Sequence, residues 1–342
     1  MPITTLRQLL DEATEKLNTT KVPDPRYDAR ALLMSAYQLS PAQYLLYEHD
    51  APEALIPRVL PDAEALSAAT TLFQANVDRR RRREPLQQIL GTAGFYGLDF
   101  VVTKDVLCPR ADTETLVDAV LGNVDNEGAS LLDVCTGSGC IAIALTKFGA
   151  FCDTTAVDIS DAALAIARRN AERLLITEAD TVADTTPYAV SPDETTAEAS
   201  ALPGADPRTE VHLQNATVDF TLLRSDMFSA LAERTEDGKL KKYDVIVSNP
   251  PYIPSAVVDE LEPEVRDYEP RIALDGTADG LRFYRILAEE AVHYLKPGGR
   301  IYLEIGYDQG ESVPALLEAA GFHDITVIRD FGGNNRVVAA HL

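Results

Sequence analysis

Cysteine is scarce in this 342-residue chain. The four present, Cys108, Cys135, Cys140 and Cys152, form no C-x-x-C pair, which excludes a zinc-finger type of site. With no secretory leader expected, reduced thiols rather than a disulfide framework, and a cytoplasmic protein, are expected. The opening stretch MPITTLRQLLDEATEKL is polar and amphipathic with acidic residues mixed in, unlike a leader or a transit peptide. Long apolar runs are missing: none approaches the ~18 residues of a membrane span, and no membrane contact is expected. Basic charge is in deficit, with 31 Lys+Arg against 54 Asp+Glu and a formal charge of −23. A field of that sign repels phosphate backbones and makes nucleic acid a poor substrate.

What is present suffices for two domains. The chain is 46% hydrophobic, enough for sizeable cores. Residues 3–78 carry helical periodicity: Leu6, Leu9, Leu10, Ala13 and Leu17 recur at steps of three and four. A second helix is expected over 28–37. A third follows Ser40-Pro41, a capping residue with proline at the first helical position. A longer one is expected over 63–76. No polar constellation suited to chemistry lies here, so residues 1–83 read as a docking domain. The run Arg79–Arg83 has two readings, a solvated basic helix end or a contact for RNA or an acidic partner. Residues 84–107, with Gly91, Gly94 and Gly97, suggest a hairpin linker.

From about residue 129 strands and helices alternate to the end of the chain. Strands are expected at 131–135, 154–158, 218–224, 243–248, 300–305, 325–329 and 336–340, with helices at 140–148, 161–175, 278–295 and 310–320. This is the pattern of an α/β domain with a mostly parallel sheet covered on both faces. Residues 177–210 break it. They hold eight acidic residues and one basic one with few large apolar side chains, and are expected to be a disordered surface insertion.

Two motifs carry chemistry. Asp133-Val134-Cys135-Thr136-Gly137-Ser138-Gly139 follows a strand and opens a helix, bringing backbone N–H groups close to a ligand. Ala142 replaces the third glycine of a dinucleotide fingerprint, and the Lys-Ser/Thr of a P-loop is missing. Asp158, at the tip of the next strand, is suited to ribose hydroxyls or to capping the following helix. Asp133 favours a cationic group such as a sulfonium over a pyrophosphate. Asn249-Pro250-Pro251-Tyr252 follows a buried strand. Its prolines fix the backbone and give up two N–H donors, leaving the Asn249 side chain and the Pro250 carbonyl to accept from a planar –NH2 group. Tyr252 offers a face for stacking.

In combination DVCTGSG, AVDIS, SDMF and SNPPY resemble a class I S-adenosylmethionine-dependent methyltransferase acting on a planar nitrogen. REPLQQILGTAGFYGLDFVV, VLCPRADTETLV, EPEVRDYEPRIALDG, KPGGRIYLEIG and NNRVVAA extend the likeness to the release-factor glutamine N5-methyltransferases, the HemK/PrmC family, over nearly the whole chain. The resemblance implies a Rossmann-like domain over 108–342 with a small helical N-terminal domain, joined by the hairpin. The implied substrate is the glutamine of the Gly-Gly-Gln motif in peptide chain release factors, and the implied cofactor S-adenosyl-L-methionine. Cofactor contacts fall on Cys135, Thr136, Gly137, Ser138, Gly139, Asp158, Met227 and Asn249; substrate contacts fall on Asn249, Pro250, Pro251 and Tyr252. Catalysis is assigned to Asn249, Pro250 and Tyr252. No metal is expected, and a monomer is favoured. Cys135 stands where many members have glycine, which requires a negative φ, and Met227 where an aromatic residue often covers the adenine. Two alternatives remain open: an amino-group methyltransferase acting on nucleic acid (adenine N6), and a non-catalytic cofactor-binding scaffold.

Overall fold

The computed structural model describes residues 4–123, 128–149, 151–175, 210–214, 219–231 and 240–342. The expected insertion at 177–210 lies outside them except for Glu210, which opens a strand. Two compact units divide the described chain: residues 1–91 with 262–268, and the remainder from residue 92.

The first unit is helical. It comprises α1 (Leu6–Asn18), α2 (Pro25–Ala36), α3 (Pro41–Tyr47), α4 (Ala63–Arg81), α5 (Leu86–Leu90) and the short α10 (Pro263–Arg266). Local chemistry starts these helices. Thr5 with Gln8 and Ser40 with Gln43 form reciprocal capping boxes, and Asp62 caps α4 through the Ala65 N–H at 2.8 Å. The apolar stripe Leu6, Leu10, Ala13 and Leu17 is buried against Leu32, Leu33 and Phe73. α4 does not stop at residue 76 but runs into the arginines, because these pair with carboxylates of the same unit. Arg79 meets Glu84, Arg81 meets Asp78 at 3.2 Å, and Arg83 meets Glu262 and Glu264. Arg80, only 5% exposed, joins Asp28 at 2.6 Å and Glu264 at 3.0 Å. Burial alone would raise the Glu264 carboxyl; the hydrogen bonds from Arg83 and Arg80 outweigh it and hold the group below its usual range. The run is thus a basic helix end, with Arg81 exposed and Arg80 buried in ion pairs.

The second unit opens with a tight antiparallel hairpin, β1 (Thr92–Phe95) and β2 (Leu98–Val101). Residues 86–90, expected in the linker, are helix α5 instead. Then come α6 (Glu114–Asn123), β3 (Ser130–Val134), α7 (Cys140–Phe148), β4 (Asp153–Asp158), α8 (Asp161–Leu175), β5 (Glu210–Gln214), β6 (Asp219–Arg224), β7 (Tyr243–Ser248) and α9 (Ser255–Val258). The chain closes with α11 (Arg282–Tyr294), β8 (Leu295–Glu304), α12 (Ser312–Ala319), β9 (His323–Arg329) and β10 (Asn335–His341). The main sheet has eight described strands in the order β5-β6-β4-β3-β7-β8-β10-β9. The central strands are parallel; β5, β9 and β10 add antiparallel partners at the flanks. Every residue of β3 is buried, as a strand covered on both faces demands. Lys296-Pro297-Gly298-Gly299 is a bulge inside β8, since Tyr243 pairs Leu295 but Val245 already pairs Arg300. No described helix is long and apolar enough to cross a membrane.

Register decides where function sits. Val134 lies opposite Val157 on one side and Ser248 on the other, and Ser248 opposite Leu303. The carboxyl ends of β3, β4, β7 and β8 therefore share one edge, the place where open α/β sheets bind ligands.

Candidate active site

A cavity of about 220 Å³ opens at that edge. Its floor is the glycine turn after β3, with Cys135, Thr136, Gly137 and Ser138. Asp158 and Ile159 flank it from the tip of β4, Met227 from the loop after β6, and Asn249 and Pro251 from the tip of β7. Residues 105–110, Thr113, Pro270, Ile272 and Phe283 complete the walls.

The turn is built from backbone. Gly137 has φ +56° and donates its N–H to Asp158 Oδ2 at 2.9 Å, while Ser160 N–H reaches Oδ1 at 2.9 Å. Burial raises the Asp158 carboxyl, and the N–H groups of Ser160, Gly137 and Ile159 oppose that. Each oxygen keeps a second lone pair for a hydroxyl of a ligand. Asp158 thus braces the loop and lines the cavity at once.

Several expectations need correction. Cys135 has φ +64°, not a negative value, and Met227 has φ +50°. The strain of a left-handed side-chain-bearing residue accompanies a contact between them, Cys135 Sγ to Met227 Sδ at 3.7 Å. Gly139 does not line the cavity. It has φ +80° at the N-cap of α7, and a Cβ there would lie 3.0 Å from Ile143 and 3.2 Å from Ala167, so this glycine serves α7–α8 packing. Asp133 is fully buried beneath the turn and is not among the residues that line the cavity. It accepts from Thr136 Oγ1 at 2.6 Å, and desolvation pushes its carboxyl up to about 7.

Of the expected Asn249-Pro250-Pro251-Tyr252 turn, Asn249 and Pro251 line the cavity, and Pro250 and Tyr252 stand behind them. The Tyr252 ring is held from behind, with its hydroxyl towards Glu304 Oε1 at 3.5 Å. Its backbone is clamped: Gln309 Nε2 donates to the Tyr252 carbonyl at 3.1 Å. A Cβ on Gly276 would come within 2.8 Å of the Pro251 carbonyl and Tyr252 Cα, and one on Gly280 would collide with the Tyr252 carbonyl. The turn is rigid because other segments leave it no space.

Sequence reasoning did not assign Thr113, Arg110, Ile159 or Phe283 to the cavity. The signal was there in the segments singled out around them. Arg110, of CPRADTE, donates to both carboxylate oxygens of Glu269, of EPRIALDG, at 2.7 Å. Glu269 also accepts from Cys108 N–H at 3.4 Å. Two distant motifs are thereby two halves of one wall.

Comparison with known proteins gives the family. Residues 8–91 match the family model of the PrmC N-terminal domain, and residues 112–198 that of ribosomal protein L11 methyltransferase (PrmA). The release factor glutamine methyltransferase of Geobacter sulfurreducens is 37% identical over 340 residues, covering 99% of this chain and 98% of that protein. That of Moorella thermoacetica is 36% identical over 341 residues, covering 98% of each. The chain belongs to the release factor glutamine methyltransferase family. Among solved structures, the protein-(glutamine-N5) methyltransferase (release factor-specific) of Alicyclobacillus acidocaldarius aligns at a TM-score of 0.38 with 26% identity, covering 71% of this chain and 98% of that one. In this methyltransferase the helical unit coincides with the matched N-terminal domain, ending at the same residue, 91.

Proposed function

We propose that this enzyme transfers a methyl group from S-adenosylmethionine to the side-chain amide nitrogen of a release-factor glutamine, in the Gly-Gly-Gln motif. The observation that carries the reading is that one cavity is lined by both Asp158, suited to ribose hydroxyls, and Asn249, suited to an amide –NH2. The cofactor supplies an electrophilic methyl on a sulfonium sulfur. The residues present suit it: a backbone turn with free approach, a carboxylate with lone pairs to spare, and apolar neighbours Met227, Ile159 and Ile141.

An amide nitrogen is a poor nucleophile because its lone pair is delocalised. Asn249 Oδ1 accepts an N–H of the substrate amide, turns the nitrogen towards the methyl group and favours the positive charge that develops there. Asn249 is uncharged and takes no proton; the methylated nitrogen, now strongly acidic, sheds its extra proton to water, so the contribution of Asn249 is orientation and a fixed dipole. Pro250 and Pro251 hold it through their fixed φ. The helical unit, which has no reactive cluster, acts in binding the release factor.

The nucleic-acid alternative loses one weak support, since four arginines of the basic run are paired within their own unit. Incubation with methyl-labelled cofactor and either intact release factor, duplex DNA or transfer RNA tests the choice. Label is expected in release factor alone; label in nucleic acid with none in release factor would overturn it.

A further inference from the structure

Glu304 ends β8 directly behind the Asn249 turn. It is 2% exposed, and its Oε2 has no hydrogen-bond partner among the described residues. An orphaned buried carboxylate oxygen is costly and draws the nearest hydroxyl. Thr113, itself 2% exposed and part of the cavity wall, carries a hydroxyl that favours the ionised form of this carboxyl. On its other side Thr113 Oγ1 meets Asn249 Nδ2 at 3.5 Å. We propose that Glu304 is a positioning residue: through Thr113 it sets the direction of a hydrogen-bond chain that turns the oxygen of Asn249 into the cavity.

The argument is one of donors and acceptors. An ionised carboxylate only accepts, so Thr113 spends its single proton on Glu304. The Thr113 oxygen is then left as an acceptor and takes a hydrogen from Asn249 Nδ2. Asn249 Oδ1 is forced to the opposite side, towards the substrate. A neutral group at 304 can itself donate to Thr113, freeing the threonine proton for Asn249 Oδ1. The amide then turns over and presents –NH2 to a substrate –NH2, donor against donor. The inference rests on the proposed amide substrate.

Several groups set the charge of Glu304. Burial is the largest influence and pushes its carboxyl up to about 7; Asp112 pushes the same way, while Thr113, Arg336 and Tyr252 oppose. Arg336 is anchored by Asp330 at 3.1 Å and Asp112 at 3.2 Å. Tyr284 donates to the Glu304 main-chain oxygen at 2.7 Å and fixes the strand end.

The test is single-turnover methyl transfer to intact release factor between pH 5.5 and 9, cofactor saturating, with cofactor affinity measured by calorimetry alongside. Wild type should lose rate on the acid side with a midpoint near 7. Glu304→Gln should be at least about tenfold slower at pH 8, with the acid limb gone and cofactor affinity within about twofold. Thr113→Val should behave alike, and Thr113→Ser should restore both rate and limb; this pair decides the matter if Glu304→Gln does not fold. Rates within about twofold of wild type with an unchanged profile, or Thr113→Ser as slow as Thr113→Val, would overturn the proposal. A wild type that transfers no methyl to release factor would overturn the underlying reading, and this inference with it.

Discussion

The wall of the cavity at β3 and β4 is made of backbone, whereas the wall at β7 and β8 is made of side chains. At the first, Cys135 and Gly137 have positive φ, and Asp158 is tied to two N–H groups. All of this lies within two consecutive strand tips. At the second, Asn249 meets Thr113, and the Tyr252 end of the same turn meets Glu304, Gly276, Gly280 and Gln309, drawn from across the unit. A backbone wall holds a ligand by shape and tolerates side-chain change. A side-chain wall holds one atom in one orientation, and each support matters.

The comparison breaks hardest at Asn249. Asn249→Ala should slow single-turnover methyl transfer by ~10²–10³, the scale of losing one preorganised dipole. β7 is secured by the buried Val245, Ile246 and Val247, so the melting temperature should barely move. Rapid-quench kinetics with cofactor saturating checks this; a loss below about threefold would leave the side-chain wall without a catalytic role.

The pH dependence of stability is next in size. The Glu304 carboxyl lies near 7 in the fold against an ordinary 4.5, so folding favours its neutral form. Its stabilising contribution is full below the ordinary value, declines as pH rises, and is gone above about 7. Glu304→Gln cannot ionise. It should therefore be more stable than wild type at pH 8, by up to roughly 3 kcal/mol, with the gain vanishing towards pH 4.5. Denaturant melts at several pH values read this directly. A variant that is slower yet more stable separates a positioning role from a structural one; a variant less stable at pH 8 speaks against it.

On the backbone wall Asp158→Ala should weaken cofactor binding by roughly 1–3 kcal/mol, the range of lost charge-assisted hydrogen bonds. Calorimetry showing unchanged affinity in a folded variant would reduce Asp158 to a brace for the loop.

The smallest effect is expected at Cys135. Glycine there removes ~1–2 kcal/mol of left-handed strain and returns ~0.5–1 kcal/mol as chain entropy. Cys135→Gly should raise thermal stability slightly, unless the contact with Met227 at 3.7 Å outweighs the strain, in which case the melting temperature falls.

The same contrast explains what could be read from the chain. Strand β3, the glycine turn, α7 and β4 follow one another, so periodicity and turn chemistry located the floor of the site within a residue or two. The sign of φ at Cys135 escaped because it depends on how the turn closes against Asp158, not on the cysteine. Asn249 stood out beside two prolines, but nothing local connects it to Thr113, 136 residues earlier. The arginine run looked like an exposed patch for the same reason: Glu262 and Glu264, which pair Arg83 and Arg80, lie about 180 residues downstream. Strand β5 starts at the last residue of the stretch whose composition argues against order, and its pairing to β6 is visible only in three dimensions.

The central claim is that Asn249 holds an amide nitrogen for methylation. It is tested most directly by fragmenting intact release factor in a mass spectrometer after incubation with the enzyme and methyl-labelled S-adenosylmethionine. The account predicts one added methyl group, on the side-chain nitrogen of the glutamine in the Gly-Gly-Gln motif, and none above background with Asn249→Ala in the same time. A methyl group on any other residue, or equal labelling by the variant, would contradict it.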